Sequence, residues 1–259
     1  MDIVLSVDSG DTDANYKIQR GNGRIVYVQI PDTTGFLAEN ERNYGPKVVE
    51  KLSKLEEWKD DSWATLQYNP VTRQCAKDLQ PPHAIPKDKL LSSYSSYDMA
   101  DLHYIKKIKS RTCEVFLNGQ TYVFKTARFP FELPWIVQEI EAYHTLEGTS
   151  LAPRLIGYVF ETSQDRVTGI LLEKLEGHFP ESGDLDTCLK ALDQLHSYLA
   201  HGDLVKYNII MTSKGPRFLD FESSVLVSSD AWSTELSTKD RQKLADNLGI
   251  TSDHGRPYE

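Results

Sequence analysis

His201-Gly202-Asp203-Leu204-Val205-Lys206-Tyr207-Asn208-Ile209-Ile210-Met211, a Lys214-Gly215 turn, and then Arg217-Phe218-Leu219-Asp220-Phe221-Glu222 form the stretch whose reading decides the fold. Two short segments with apolar residues flank the Lys-Gly turn, which predicts a hairpin. A hairpin brings the chain back to the edge it left, so Asn208 just before it and Asp220 just after it would lie side by side. Two such oxygen donors suit a hard divalent cation of the magnesium kind. Asp203, five residues ahead of Asn208 on the entering loop, would be placed to accept a proton from a hydroxyl group.

Upstream of this stretch the pattern is equally regular. Cys113-Glu114-Val115-Phe116-Leu117 and Thr121-Tyr122-Val123-Phe124-Lys125 flank Asn118-Gly119, the strongest short signal for a tight hairpin. A helix is predicted over 133–146, with Ile136, Ile140, Tyr143 and Leu146 on one face and Gly148 as its stop. Strands are predicted over 155–160 and 167–175, and Gly177 and Pro180 then interrupt the chain. A second helix is predicted over 185–198, its apolar face formed by Leu189, Leu192, Leu195 and Leu199, and one more helical stretch falls at 238–248. This mixture of hairpins and amphipathic helices describes an α+β chain.

These residues carry a resemblance. His201-Gly202-Asp203-Leu204-x-x-x-Asn208 resembles the catalytic loop of protein kinases and their relatives, and Leu219-Asp220-Phe221-Glu222 is similar to their Asp-Phe-Gly metal-binding motif. Val123-Phe124-Lys125 resembles the strand that carries the ATP-positioning lysine, and Glu139 falls where the helix glutamate that pairs with this lysine is found. The resemblance spans about 104–224. It implies a two-lobed protein-kinase-like α+β fold: a mainly antiparallel β N-lobe over 96–174 and a short, mostly helical C-lobe over 175–259. Residues 1–95 would be an N-terminal extension. It further implies ATP and Mg2+ as cofactors. Lys125 would touch the phosphates, Glu139 would hold Lys125, Asp203 would orient the acceptor, and Asn208 and Asp220 would bind the metal. His201 would be a structural residue of the loop. Residues 172–175 would form the hinge, where backbone groups of Glu173 and Leu175 meet adenine, with Val115, Val123 and Ile210 sandwiching the ring.

The departures from the family pattern narrow the likeness. No glycine occurs from Ile105 to Glu114, where kinases carry a glycine-rich phosphate loop. Gly202 stands where Ser/Thr and Tyr kinases have arginine, and Glu222 where they have glycine, a style similar to the aminoglycoside and choline phosphotransferases. Val205 occupies the place of the loop lysine of Ser/Thr kinases, with Lys206 one residue later. The short stretch after Glu222 resembles RIO-type kinases, lipopolysaccharide kinases and short kinase-like proteins of filamentous fungi. The expected activity is transfer of the γ-phosphate of ATP to a hydroxyl of a small molecule or a protein. Two alternatives keep the same residues: a pseudokinase-type nucleotide-binding scaffold without transfer, and nucleotidyl transfer.

Composition bounds the partners. The 259 residues carry a formal net charge of -9, which disfavours non-specific nucleic-acid binding. No apolar run approaches membrane-helix length, and the first residues lack the basic flank of a leader, so the expectation is a cytoplasmic protein without a membrane or nucleic-acid partner. Cys75, Cys113 and Cys188 show no zinc-ligand spacing, and Cys188 falls in an apolar helical pattern as a core residue. In the first part of the chain, strands are predicted over 3–7 and 24–30, with an Asn22-Gly23 turn before the second, and a helix over 46–58. A stiff proline-containing segment follows at 80–86. No chemical motif precedes that segment.

Overall fold

The computed structural model describes residues 1–248 and 255–258. It is a mixed α+β structure, rich in antiparallel sheet, with four α-helices among the described residues. The chain divides into two compact units. The first comprises Met1–Ala84 with Arg128–Pro130, and the second Ile85–Ala127 with Phe131–Glu259.

The first unit is built on a five-stranded sheet. Its strands, in spatial order, are β1 (Ile3–Ser9), β2 (Ala14–Gln19), β3 (Ile25–Ile30), β4 (Thr65–Asn69) and β5 (Gln74–Asp78). Only the β3–β4 pairing is parallel. A parallel pair cannot be joined by a tight turn, and the connection here carries α1 (Gly45–Leu52). Tyr16, Ile18, Val26, Val28, Val48, Leu52 and Leu66 fill its core. The helix predicted over 46–58 ends at Leu52, and Trp58 lies instead in a separate 3-10 turn, Glu56–Lys59. Tertiary contacts account for this. The Trp58 indole N–H donates to Asp2 at 3.0 Å, and the Arg20 guanidinium stacks 4.3 Å from its ring. β2, β4 and β5 did not stand out in the sequence because polar residues such as Asn15, Lys17 and Gln67 interrupt their apolar runs.

The second unit has a six-stranded sheet of β6 (Ser95–Asp98), β7 (His103–Lys109), β8 (Thr112–Leu117), β9 (Gln120–Thr126), β10 (Leu155–Phe160) and β11 (Val167–Glu173). The spatial order is β6-β10-β11-β9-β8-β7, and all pairings but β6–β10 are antiparallel. Asn118 and Gly119 both take positive φ, 49° and 83°, and close the β8–β9 hairpin as the sequence predicts. Three helices follow in the chain: α2 (Leu133–Thr145), α3 (Leu185–Leu195) and α4 (Thr234–Leu248). Two small hairpin-like pairs complete the unit. One joins β12 (Leu199–Ala200) to β15 (Val225–Leu226), and the other β13 (Ile209–Thr212) to β14 (Gly215–Phe218).

The main core of this unit gathers Ile136 and Ile140 of α2, Leu172 of β11, and Cys188, Leu192 and Leu195 of α3 against Ile209, Phe218 and Phe221. A second, smaller core lies among Val115, Leu117, Phe124, Val159 and Leu171. The strand register decides which residues go where. Glu114 pairs with Val123, and Val115 pairs with Tyr122. Residues directly opposite each other share a sheet face, and the next pair along takes the other face. Val115 therefore packs into the smaller core and does not share a face with Val123, contrary to the expected sandwich.

Candidate functional site

A cavity of about 370 Å³ opens in the second unit. Ile108, Val123, Leu172, Leu175, Tyr207 and Ile210 give it apolar walls, and Lys109, Lys125, Glu139, Asn208 and Asp220 line a charged region. The volume lies within the range of small-ligand sites, roughly 300–1,000 Å³.

The local fold explains how the charged residues meet. Asn208 ends the 3-10 turn Lys206–Asn208, and the β13–β14 ladder starts directly after it with Ile209 opposite Phe218. The Leu219 amide donates to the Asn208 carbonyl at 2.8 Å, so the ladder delivers Asp220 beside Asn208, as the hairpin reading predicts. Asp220 itself is left-handed, at φ 66°. A non-glycine residue held there costs of order 1–3 kcal/mol.

Lys125 comes from β9 and Glu139 from α2. The Lys125 ammonium stands 2.6 Å from Glu139 Oε2, 2.6 Å from Asp220 Oδ1 and 2.5 Å from Glu222 Oε1. Only the Asp220 contact is also a hydrogen bond. Glu139 Oε2 and Glu222 Oε1 meet the lysine as charges and have no hydrogen-bond donor aligned on them. Glu139 Oε1 accepts from the Tyr143 hydroxyl at 3.3 Å.

Burial and charge shift these groups in opposite senses. Burial pushes the Glu139 carboxyl up, with the charges of Asp220 and Glu222 adding to it against the pull of Lys125, to about 7. Burial opposes ionisation of Asp220 too, but Lys125 and Lys109 prevail and hold it well below the usual carboxylate range. Burial disfavours the Lys125 ammonium, yet Glu139, Asp220 and Glu222 together keep its pKa above the ordinary lysine value.

Asp203 does not line the cavity itself. The Asn208 side-chain amide donates to its carbonyl at 3.0 Å and to its carboxylate at 3.3 Å, which fixes it beside the cavity. His201 is fully buried. Its Nε2 lies 2.8 Å from the Leu219 carbonyl and its Nδ1 accepts from the Asp203 amide, an arrangement that defines the neutral Nε2–H tautomer. Burial lowers its pKa in the same sense. Gly202 has φ +81°, and a Cβ there would stand 2.2 Å from the Ser223 carbonyl oxygen, so no other residue fits. Glu173 and Leu175 both border the cavity, but the Glu173 amide donates to the Arg154 carbonyl at 2.9 Å, and its carboxylate accepts from the Arg154 amide at 3.1 Å. Lys206 is not among the lining residues.

Four residues of the site escape a reading of the motifs. Lys109 donates to Asn208 Oδ1 at 3.3 Å and to Asp220 Oδ2 at 3.1 Å. Arg111 pairs with Glu222 at 2.5 Å and lies 3.9 Å from Glu132. Glu222 joins Lys125. Asp240, on α4 and 2% exposed, accepts the backbone amides of His201 at 2.6 Å and Gly202 at 3.0 Å. The cluster Lys106-Lys107-Ile108-Lys109-Ser110-Arg111 is a visible signal for the first two, since it puts cations where kinases carry glycines. Nothing in the sequence marks Asp240.

The donor chemistry suits a hard divalent cation. Carboxylate oxygens of Glu139, Asp220 and Glu222 lie within 4.8 Å of one another, and Asn208 adds an amide oxygen shared with Asp220 through Lys109. All are oxygen donors, and two of the carboxylate oxygens lack an aligned hydrogen-bond donor. No protein-family model matches the chain, and no curated protein matches it. Among the described residues, no helix is long and apolar enough to cross a membrane.

Proposed function

We propose that the second unit is an ATP- and magnesium-dependent phosphotransferase of the two-lobed protein-kinase-like type, transferring the γ-phosphate to a hydroxyl of a small molecule or a protein. The observation that carries this reading is the Lys125 ammonium, 2.6 Å from both Glu139 on α2 and Asp220 after β14, in a cavity that also has apolar walls. Phosphoryl transfer needs positioned charge more than covalent help, and such a lysine held between a helix carboxylate and a loop carboxylate supplies it.

In this reading the residues divide the work by position. Val123, Leu172 and Ile210 would hold a flat base by apolar contact. Lys125, fixed by Glu139, would bind phosphate oxygens. Asn208, Asp220 and Glu222 would hold the metal, whose charge neutralises the phosphates when it is bound. Asp203, its carboxylate oriented by Asn208, would accept the proton of the acceptor hydroxyl. His201 and Asp240 would hold the loop that carries Asp203.

Thermal melting with and without millimolar ATP and Mg2+ tests the reading. At about a hundredfold excess over Kd, a ligand adds roughly 2.7 kcal/mol of stability, which raises Tm by several degrees. The expected result is a magnesium-dependent rise that Asp220→Asn removes. No rise with any nucleotide would overturn the reading.

A further inference from the structure

Of the cavity's charged residues, Lys109 is the one whose partners the motifs do not explain. It ends β7, the edge strand of the sheet, and its side chain is 30% exposed. Its ammonium donates to Asn208 Oδ1 and Asp220 Oδ2, on two of the three residues assigned above to the metal. Its neighbours are placed differently. Lys107 lies over the Tyr258 ring at 5.5 Å, and Arg111 is tied to Glu222 and stacked 4.9 Å from Trp135. Lys106 also lines the cavity, but the hydrogen bonds to Asn208 and Asp220 come from Lys109. The strand and turn that would cover the phosphates lack glycine and bring the Lys109 ammonium to the acidic end of the cavity.

We infer that Lys109 is a phosphate-binding residue that stands in for a glycine-rich loop and that occupies the metal ligands until nucleotide arrives. The inference rests on the phosphotransferase reading and deepens it. Glycine-rich loops hold phosphates with backbone amides, which requires close approach of the backbone. A lysine side chain reaches the same anions from further away as a point charge. An ammonium on Asn208 and Asp220 and a divalent cation on the same oxygens exclude each other. Metal entering with the nucleotide releases Lys109, and the released ammonium finds the phosphate oxygens that arrive at the same moment. Lys109 thus lowers affinity for metal alone and raises affinity for nucleotides with more phosphates. Lys125 stays fixed, because it is buried among three carboxylates.

Two binding measurements test this without any turnover. The first is titration of the nucleotide-free protein with Mn2+, followed by the paramagnetic signal of the free ion. The second is calorimetric titration with ATP and with AMP at saturating Mg2+ and without any acceptor. Both are made on the wild type, Lys109→Met, Lys109→Arg and Lys107→Met, each first shown to melt cooperatively. Charge-assisted hydrogen bonds of this kind carry roughly tenfold or more in affinity. Lys109→Met is expected to bind Mn2+ about tenfold more tightly and to lose about tenfold of the preference for ATP over AMP. Lys109→Arg should keep most of that preference, and Lys107→Met should match the wild type in both measurements. If Lys109→Met matches the wild type in both, the inference fails while the phosphotransferase reading stands. Equal effects of Lys107→Met and Lys109→Met would also overturn it, because net charge alone would then explain them. A wild type that binds no nucleotide with or without metal would overturn both the inference and the reading.

Discussion

Two buried polar clusters of the second unit handle their charges in different ways. Around Asp240 the carboxylate is fully engaged: Oδ2 accepts the His201 amide and lies 3.3 Å from His196 Nε2, and Oδ1 accepts the Gly202 amide. The rest of α4 continues the grip, with Lys243 donating to the Gly202 carbonyl and Asn247 to the Leu204 carbonyl, both at 2.6 Å. Asp240, Lys243 and Asn247 lie three and four residues apart, so one helix face holds one loop. Around Lys125, by contrast, three carboxylates crowd one ammonium, and two of their oxygens have no aligned donor. A carboxylate held by backbone amides fixes a loop, whereas carboxylates held by the side-chain cations Lys125, Lys109 and Arg111 can exchange a cation for a ligand. The difference separates the part that holds the 201–204 loop from the part proposed to bind phosphate and metal.

The largest expected effect comes from breaking the open cluster. Lys125→Met leaves Glu139 buried without its cation, a change that costs about 3–5 kcal/mol when a buried pair is broken. The cost should depend on pH. Glu139 already has a raised folded pKa, about 7 against an ordinary 4.5. Without Lys125 it rises further. A carboxyl with a raised folded pKa keeps its proton in the folded state after the unfolded chain has lost it, so stability falls as pH rises through that window. Wild type and variant lose this stability in parallel up to about pH 7, so denaturant unfolding should show the deficit of Lys125→Met widening above about pH 7, where the wild-type carboxyl has ionised and the variant's still holds its proton. A deficit independent of pH would show that Glu139 is not the group left exposed to the loss.

The closed cluster should respond less, and with the opposite dependence on pH. Asp240→Asn replaces an acceptor-only group by an amide that turns one donor towards the loop amides, at an expected cost of about 1–3 kcal/mol. Burial opposes ionisation of Asp240, but the hydrogen bonds from His196, His201 and Gly202 together lower its pKa below the ordinary 3.8. A depressed carboxyl contributes stability above its unfolded pKa and loses it as pH falls through the folded value. The wild type should therefore lose stability more steeply than Asp240→Asn below about pH 4, a comparison that acid titration followed by circular dichroism makes directly.

The smallest effect sharpens the contrast from outside both clusters. Glu173 pairs with the exposed Arg154 at 3.5 Å, and the largely buried Arg217, which also donates to the Ala152 carbonyl, stands 3.8 Å from it. Glu173→Ala should change stability by no more than about 1 kcal/mol and leave nucleotide affinity in calorimetry unaltered, since Val123, Leu172 and Ile210 are the side chains proposed to hold the base. A large loss of affinity would give the Glu173 side chain a role that the cavity geometry does not assign to it.

Much of the local structure was legible in the sequence because it rests on short-range chemistry. Asn118-Gly119 dictated a hairpin through the positive φ that both residues tolerate. The apolar spacing of Ile136 and Ile140 marked the buried face of α2. The Lys214-Gly215 turn placed Asn208 and Asp220 at one edge. Helix 46–58 was overestimated because its period continued past Leu52, while the contacts of Trp58 with Asp2 and Arg20, far away in the chain, drew the last residues out of the helix.

Alternation within one strand tells which residues share a face, but pairing with a neighbouring strand fixes which face meets which core. That is why Val115 could be grouped with Val123 from the sequence and is separated from it by the β8–β9 register. By itself the sequence determined the β8–β9 and β13–β14 hairpins, helices α2 and α3 and the polar residues at their ends, since propensity, turn chemistry and periodicity act over a few residues. Only the tertiary structure decided that Lys109 meets Asp220 across 111 positions and that Asp240 holds Gly202 across 38. Such contacts depend on how whole elements pack, and no local pattern encodes the partner of a charge that far away.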